Sequence, residues 1–198
     1  WELVDLPTGV KPIGVKWIFK LKRNADGSIN KYKSRLVAKG YVQKHGVDYD
    51  EVFALVARIE TIRLVIAVAA SNGWELHHLD VKIAFLNGEL KEDVYVTQPE
   101  GFMITGKEDK VYKLRKALYG LKQAPRAWNT KLNKSLHDLR FQRCSKEPSL
   151  YKKDTKDGVL IVVVYVDDLL ITGSSLKHIL EFKREMAMRF EMSDLGRL

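Results

Sequence analysis

Apolar and polar residues alternate along VKWIFKLKR (15–23) and again around YKSRLVAKGYV (32–42), with the turn-forming NADGS between them. Period-two alternation about an Asp-Gly turn predicts a β-hairpin, and its polar positions are largely Lys and Arg, which makes one face basic. IETIRLVIAVAASNG (59–73) changes to a helical period and closes on Asn72–Gly73, a C-terminal stop. WELHHLDVKIAFLNG then reads as a short strand through Leu76–Leu79 and Asp80, ended by Asn87–Gly88. Val94–Val96 and Val111–Leu114 predict two more short strands. APRAWNTKLNKSLHDLRF opens a helix near Pro125, with Trp128, Leu132, Ser135, Leu136 and Leu139 as its buried stripe. Leu150–Lys152 and Val159–Val166 flank DTKDG as a second hairpin, and Asp167–Asp168 link its last strand to LLITG. SSLKHILEFKREMAMRFEM is an amphipathic helix capped by Ser174 or Ser175, with Leu176, Ile179, Leu180, Lys183, Met186 and Phe190 on one side. This mixed order predicts an α+β fold, hairpins packed against helices, with no repeat and no linker.

A chain of 198 residues, 45% hydrophobic and 30% charged, can bury the core of one domain or two lobes. Its one cysteine, Cys144, excludes an intramolecular disulfide framework and suits a reducing compartment. No signal-peptide pattern is present, and the apolar run at 159–172 is too short and too charged to span a bilayer, so no membrane partner is expected. A start at Trp1 rather than Met reads as a fragment or a processed piece.

Charge changes the picture. The net is +9, but residues 11–45 hold ten Lys/Arg against one acid, Asp26, and residues 110–134 hold eight against none. Two basic segments in an otherwise acidic chain fit a polyanion partner; two solvated faces would leave the same pattern.

Candidate chemistry centres on VVVYVDDLLITG (162–173), which sets two adjacent carboxylates in the most apolar run of the chain. Burying a carboxylate is costly without a partner, and neighbouring carboxylates repel. Asp80 is a third acid, after Leu79 and before VKIAFL. A divalent cation would remove the electrostatic difficulty, because clustered carboxylate oxygens are what Mg²⁺ takes. An ordinary solvated turn, which Asp favours, is the competing reading.

Tyr165-Val166-Asp167-Asp168 resembles the Tyr-x-Asp-Asp box of reverse transcriptases, and Leu79-Asp80-Val81 resembles the earlier aspartate motif of that enzyme's palm. Longer stretches narrow the resemblance to the Ty1/copia class of LTR retrotransposons: KPIGVKWIFKLKRNADGSINKYKSRLVAKGY (11–41), VARIETIRL (56–64), LDVKIAFLNGEL (79–90), YVTQPEGF (95–102), ALYGLKQAPRAW (117–128) and VYVDDLLITGS (164–174). They occur in the family's order and cover nearly the whole chain. A lone Tyr-x-Asp-Asp would mean little; the ordered series is specific.

The resemblance implies a right-hand polymerase, fingers and palm, with an antiparallel palm sheet packed on helices and the thumb missing. It places fingers over 1–50 and 88–124 and palm over 51–87 and 125–198. The activity implied is RNA-directed DNA synthesis by two-metal nucleotidyl transfer with Mg²⁺ or Mn²⁺, held by Asp80, Asp167 and Asp168. Phe85 falls at the steric-gate position, where a ring under the sugar excludes a 2′-hydroxyl; as a residue alone it reads first as a core aromatic. Backbone N–H groups over Val81, Ile83 and Ala84 would lie by the triphosphate, with Arg23 and Arg35 as the hairpin's cations. Tyr119 and Gly120 would abut the nascent base pair, and Lys122, Gln123, Arg126 and Tyr165 would meet template or primer. Implied partners are an RNA or DNA template with its primer, deoxynucleoside triphosphates, and the rest of a Pol polyprotein with RNase H and integrase. The implied location is a cytoplasmic virus-like particle, the element itself being integrated in a nuclear genome. A silent remnant that still binds nucleic acid is the alternative. Two departures favour it: Ala54-Leu55 stands where family members often have Ser-Pro, and Ile83 where a small hydroxyl residue is frequent. His77–His78 has no partner at ligand spacing, so no zinc site is expected.

Overall fold

The computed structural model describes residues 1–156 and 158–198. In chain order its strands are β1 (Glu2–Val4), β2 (Val15–Arg23), β3 (Ile29–Ala38), β4 (Leu76–Val81), β5 (Glu89–Val96), β6 (Val111–Lys116), β7 (Gln142–Arg143), β8 (Leu150–Thr155), β9 (Gly158–Tyr165), β10 (Asp168–Gly173) and β11 (Met192–Arg197). Its α-helices are α1 (Ile59–Ser71), α2 (Ala124–Asp138) and α3 (Leu176–Arg189). The chain forms two units, Trp1–Phe53 with Gly88–Trp128, and Ala54–Asn87 with Asn129–Leu198. The DTKDG turn includes Asp157, which lies outside the described residues.

In the first unit β2 and β3 pair antiparallel, with Lys20 opposite Lys33 and Leu21 opposite Tyr32. Opposed residues share a face and successive ones alternate, so Lys16, Lys20, Lys22, Lys31, Lys33 and Arg35 gather on one side. The other side carries Trp17, Phe19, Leu21 and Tyr32. The basic hairpin is therefore present as the alternation predicts, with a bulge between Lys22 and Arg23. β1, β6 and β5 make a separate three-stranded sheet, to which Ile13 adds a bridge at Val96.

The second unit is built on a six-stranded antiparallel sheet in the order β11-β4-β10-β9-β8-β7. One face presents Leu79, Val81, Leu160, Val162, Val164, Leu169 and Ile171, all buried. Helices α2 and α3 cover that face: Tyr151 donates from it to Asn133, and Lys183 of α3 reaches Asp194 of β11. Ile179, Phe182, Met186 and Phe190 of the α3 region are buried with it, and the Phe141 and Phe182 rings meet edge-on at 5.1 Å. Each such side chain contributes about 1.5–3 kcal/mol when fully removed from water. Leu176 and Leu180 remain exposed, so the buried stripe of α3 runs through Phe182 and not through Leu180 as the periodicity predicts. Helix α3 ends at Arg189, and MSDLGR, absent from the predicted elements, becomes β11 against β4.

The opposite face takes α1. Ala57 and Val65 pack on Val163, with Ile62, Leu150, Ile161 and Leu170 around them. The helix stops as expected: Asn72 donates its side-chain amide to the Val68 carbonyl, and Gly73 takes φ +64°.

Candidate metal and nucleotide site

β9 and β10 are joined by a two-residue turn, Val166-Asp167, across which Tyr165 pairs with Asp168. Val166 has φ +57°, a left-handed conformation that a β-branched residue adopts only under strain. A positive φ at the first central position is that of a type II′ hairpin turn, normally a glycine place. Asp168 is thus the first residue of β10, and Asp167 lies on the turn itself.

Strand register decides which side chains meet. β10 runs antiparallel to β4 with Asp168 directly opposite Asp80, and Leu170 opposite His78. Directly opposed residues hold their Cβ atoms about 4.5–5.5 Å apart. The Val81 amide donates to the Asp167 carbonyl at 2.8 Å, fastening the turn to β4 beside Asp80. Two acids from one end of the sequence and one from its middle thereby share a corner of one sheet. That face is also the one α1 covers only in part.

Asp80 makes no ion pair among the described residues, whereas Asp168 Oδ1 accepts from His78 Nε2 at 2.7 Å. Among the described residues no three His, Cys, Asp or Glu side chains are gathered into a ready-made metal cluster. The donor set nevertheless suits a hard divalent cation: carboxylate oxygens from adjacent strands, repelling each other, with the His78 imidazole bonded to one of them. His78 was missed by sequence reasoning. Its place two residues before Asp80 put it on the same strand face, but only the register brings Asp168 to it.

Around this corner the other candidates separate. Val81 and Ala84 are buried, Ile83 is exposed at φ +49°, and Phe85 is half-buried. The backbone N–H groups of Val81 and Lys82 are committed to the carbonyls of Asp167 and Glu191. The expected row of amide donors over Val81–Ala84 is thereby shortened to Ile83 and Ala84. Tyr165 is exposed beside Asp168, and both line a cavity of about 480 Å³ with His78, Val56, Ile62, Val163 and Leu170.

In the first unit, Arg35 lies over the Tyr119 ring at 5.2 Å, so two candidates far apart in sequence stand together. Gly120 follows at φ +90°, pressed on the Ala38 carbonyl, and the Tyr119 carbonyl accepts from the Ala38 amide. Arg23 turns back onto its own hairpin and donates to the Gly27 carbonyl, away from that group. Gln123 is 1% exposed, and its amide is used by Gln43 and the Asp48 carbonyl, so it presents no surface to a template. Lys122 is exposed, while Arg126 pairs with Glu51 at 2.6 Å.

Comparison with known proteins adds the following. Residues 1–198 match the family described as reverse transcriptase (RNA-dependent DNA polymerase). The chain is 43% identical to the retrovirus-related Pol polyprotein from transposon TNT 1-94 of Nicotiana tabacum, over 99% of this chain and 15% of that protein. It is 44% identical to the corresponding polyprotein from transposon RE1 of Arabidopsis thaliana, over 98% of this chain and 13% of that one. With the transposon Ty1-NL1 Gag-Pol polyprotein of Saccharomyces cerevisiae it shares 28% identity over 90% of its length. The chain spans no more than 15% of these relatives.

Proposed function

The chain belongs to the reverse transcriptase (RNA-dependent DNA polymerase) family, in its copia-type Pol polyprotein branch, and from that premise we propose that it carries the catalytic corner of an RNA-directed DNA polymerase. The observation that carries the reading is the pairing of Asp168 with Asp80 across β4 and β10, one residue beyond a strained turn. The second unit acts as palm and the first as fingers. Asp80, Asp167 and Asp168 would hold Mg²⁺ or Mn²⁺. Bound there, the ions supply charge neutralisation at the attacking 3′-oxygen and the leaving pyrophosphate.

The remaining work falls to the chain's own groups. In the first unit Arg35, held over Tyr119, is the cation for a triphosphate; in the second, Ile83 and Ala84 supply backbone donors for phosphate. Phe85, half-buried and therefore restrained, excludes a 2′-hydroxyl. Lys122 and the lysines of the hairpin meet template and primer through backbone phosphates, which carry no sequence information. Tyr165 supports the primer end beside Asp168. In its polyprotein the domain would act alongside RNase H and integrase, in a cytoplasmic particle.

Primer extension on poly(rA)/oligo(dT) with Mg²⁺ tests this, comparing the chain with an Asp167→Asn/Asp168→Asn variant. Incorporation by the first and not the second is expected; equal incorporation sinks the assignment. A second reading, binding without synthesis, draws on no three His, Cys, Asp or Glu side chains being gathered into a metal cluster among the described residues. It predicts that neither protein extends and both bind primer-template.

A further inference from the structure

His78 stands outside every role assigned above, yet its Nε2 lies 2.7 Å from Oδ1 of Asp168. That length is typical of a charge-assisted bond. With the Asp168 oxygen as acceptor, the donor is the ring N–H at Nε2. The two residues are diagonal neighbours: His78 faces Leu170, and Leu170 follows Asp168 by two on the same face. Both side chains are part-buried, 27% and 42% exposed, against the apolar walls of the 480 Å³ cavity. Water therefore competes less for this bond than for a surface pair.

Asp168 also confronts Asp80 across the ladder, and repulsion alone would swing its carboxylate to whatever rotamer lies farthest away. A fixed donor on the neighbouring strand removes that freedom. We propose that His78 is a positioning residue: its ring N–H holds Oδ1 of Asp168 and so fixes the carboxylate in one orientation, with Oδ2 left for a divalent cation. This rests on the reading of Asp168 as a metal ligand. Carboxylates that bind metals are commonly held by such a second partner, and losing it costs about 10–100-fold in metal affinity.

The test titrates the full chain with Mn²⁺ and follows the free-ion signal by electron paramagnetic resonance, alongside ring ¹⁵N spectra of the metal-free protein. His78→Leu should weaken Mn²⁺ binding at least tenfold. His78→Gln, whose amide N–H can reach the same oxygen, should recover it to within about threefold. In the wild-type spectrum the His78 ring should be protonated at Nε2 and should shift in Asp168→Asn. Unchanged affinity in His78→Leu, or Gln no better than Leu, overturns the inference while the metal reading survives. Wild-type protein that takes up no Mn²⁺, or Asp168→Asn that takes it up undiminished, overturns the metal reading and this inference with it.

Discussion

Asp80 and Asp168 are direct partners across the antiparallel β4–β10 pair, so the sheet holds two like charges face to face. Opposed like charges in a ladder are destabilising, by about 0.2–1 kcal/mol on the scale of cross-strand pairs. Asp80→Asn should therefore raise the melting temperature slightly in EDTA. Excess Mg²⁺ should raise that of the wild type by mass action and leave the variant nearly unmoved. Thermal unfolding with and without Mg²⁺ checks both halves.

Val166 holds φ +57° where glycine would carry no penalty. Val166→Gly should stabilise the second unit by about 1 kcal/mol, the strain relieved less the backbone entropy glycine loses. Urea unfolding reads the gain. If the strain serves to hold the turn in one conformation, primer extension should fall in the same variant.

Gly120 presents the opposite case. A Cβ there would overlap the Ala38 carbonyl oxygen and stand 2.6 Å from Val37 Cγ1, at φ +90°. Backbone cannot yield as a flexible side chain can, so Gly120→Ala should cost more than about 2 kcal/mol. Chemical denaturation, followed by fluorescence of Trp17 in the same unit, should show it.

Glu147 is held below the usual glutamate pKa of 4.5 by the Ser149 hydroxyl first and the Thr61 hydroxyl next. A depressed carboxyl pKa contributes stability that is fully present above 4.5 and lost as pH falls through the lowered value. Thr61→Val should accordingly destabilise by about 1 kcal/mol at pH 7, and by less near pH 3. Denaturant midpoints at the two pH values decide it.

Lys20 and Lys33 are opposed on the basic face of the β2–β3 hairpin. If both neutralise phosphates of a single strand, replacing them by Gln should make the slope of log K against log salt shallower by about 1.4. Binding to oligo(rA) at several salt concentrations measures the slope.

Much of this was legible in local pattern. The basic hairpin, α1 with its Asn-Gly stop and the start of α2 near Pro125 follow from period, capping and turn chemistry, which act within a few residues, and the turn expected at Asp167–Asp168 forms one residue earlier, at Val166-Asp167. β11 was not legible, because MSDLGR has neither clear alternation nor β-branched residues. It is a strand because β4 offers it an edge. Spacing put Leu180 and not Phe182 on the buried side, and the packing of Phe182 on Phe141 reverses that choice.

The sequence by itself determined which acids were available, what the hairpin faces carry, and the family. Tertiary structure alone decided that Asp168 faces Asp80, that His78 reaches Asp168, that Arg35 covers Tyr119, and that Gln123 is sealed inside. The physical reason is register: a strand's own residues settle which side chains share a face, but a slip of one residue against its neighbour would turn the whole set over. That choice is made by the sheet and the helices packed on it.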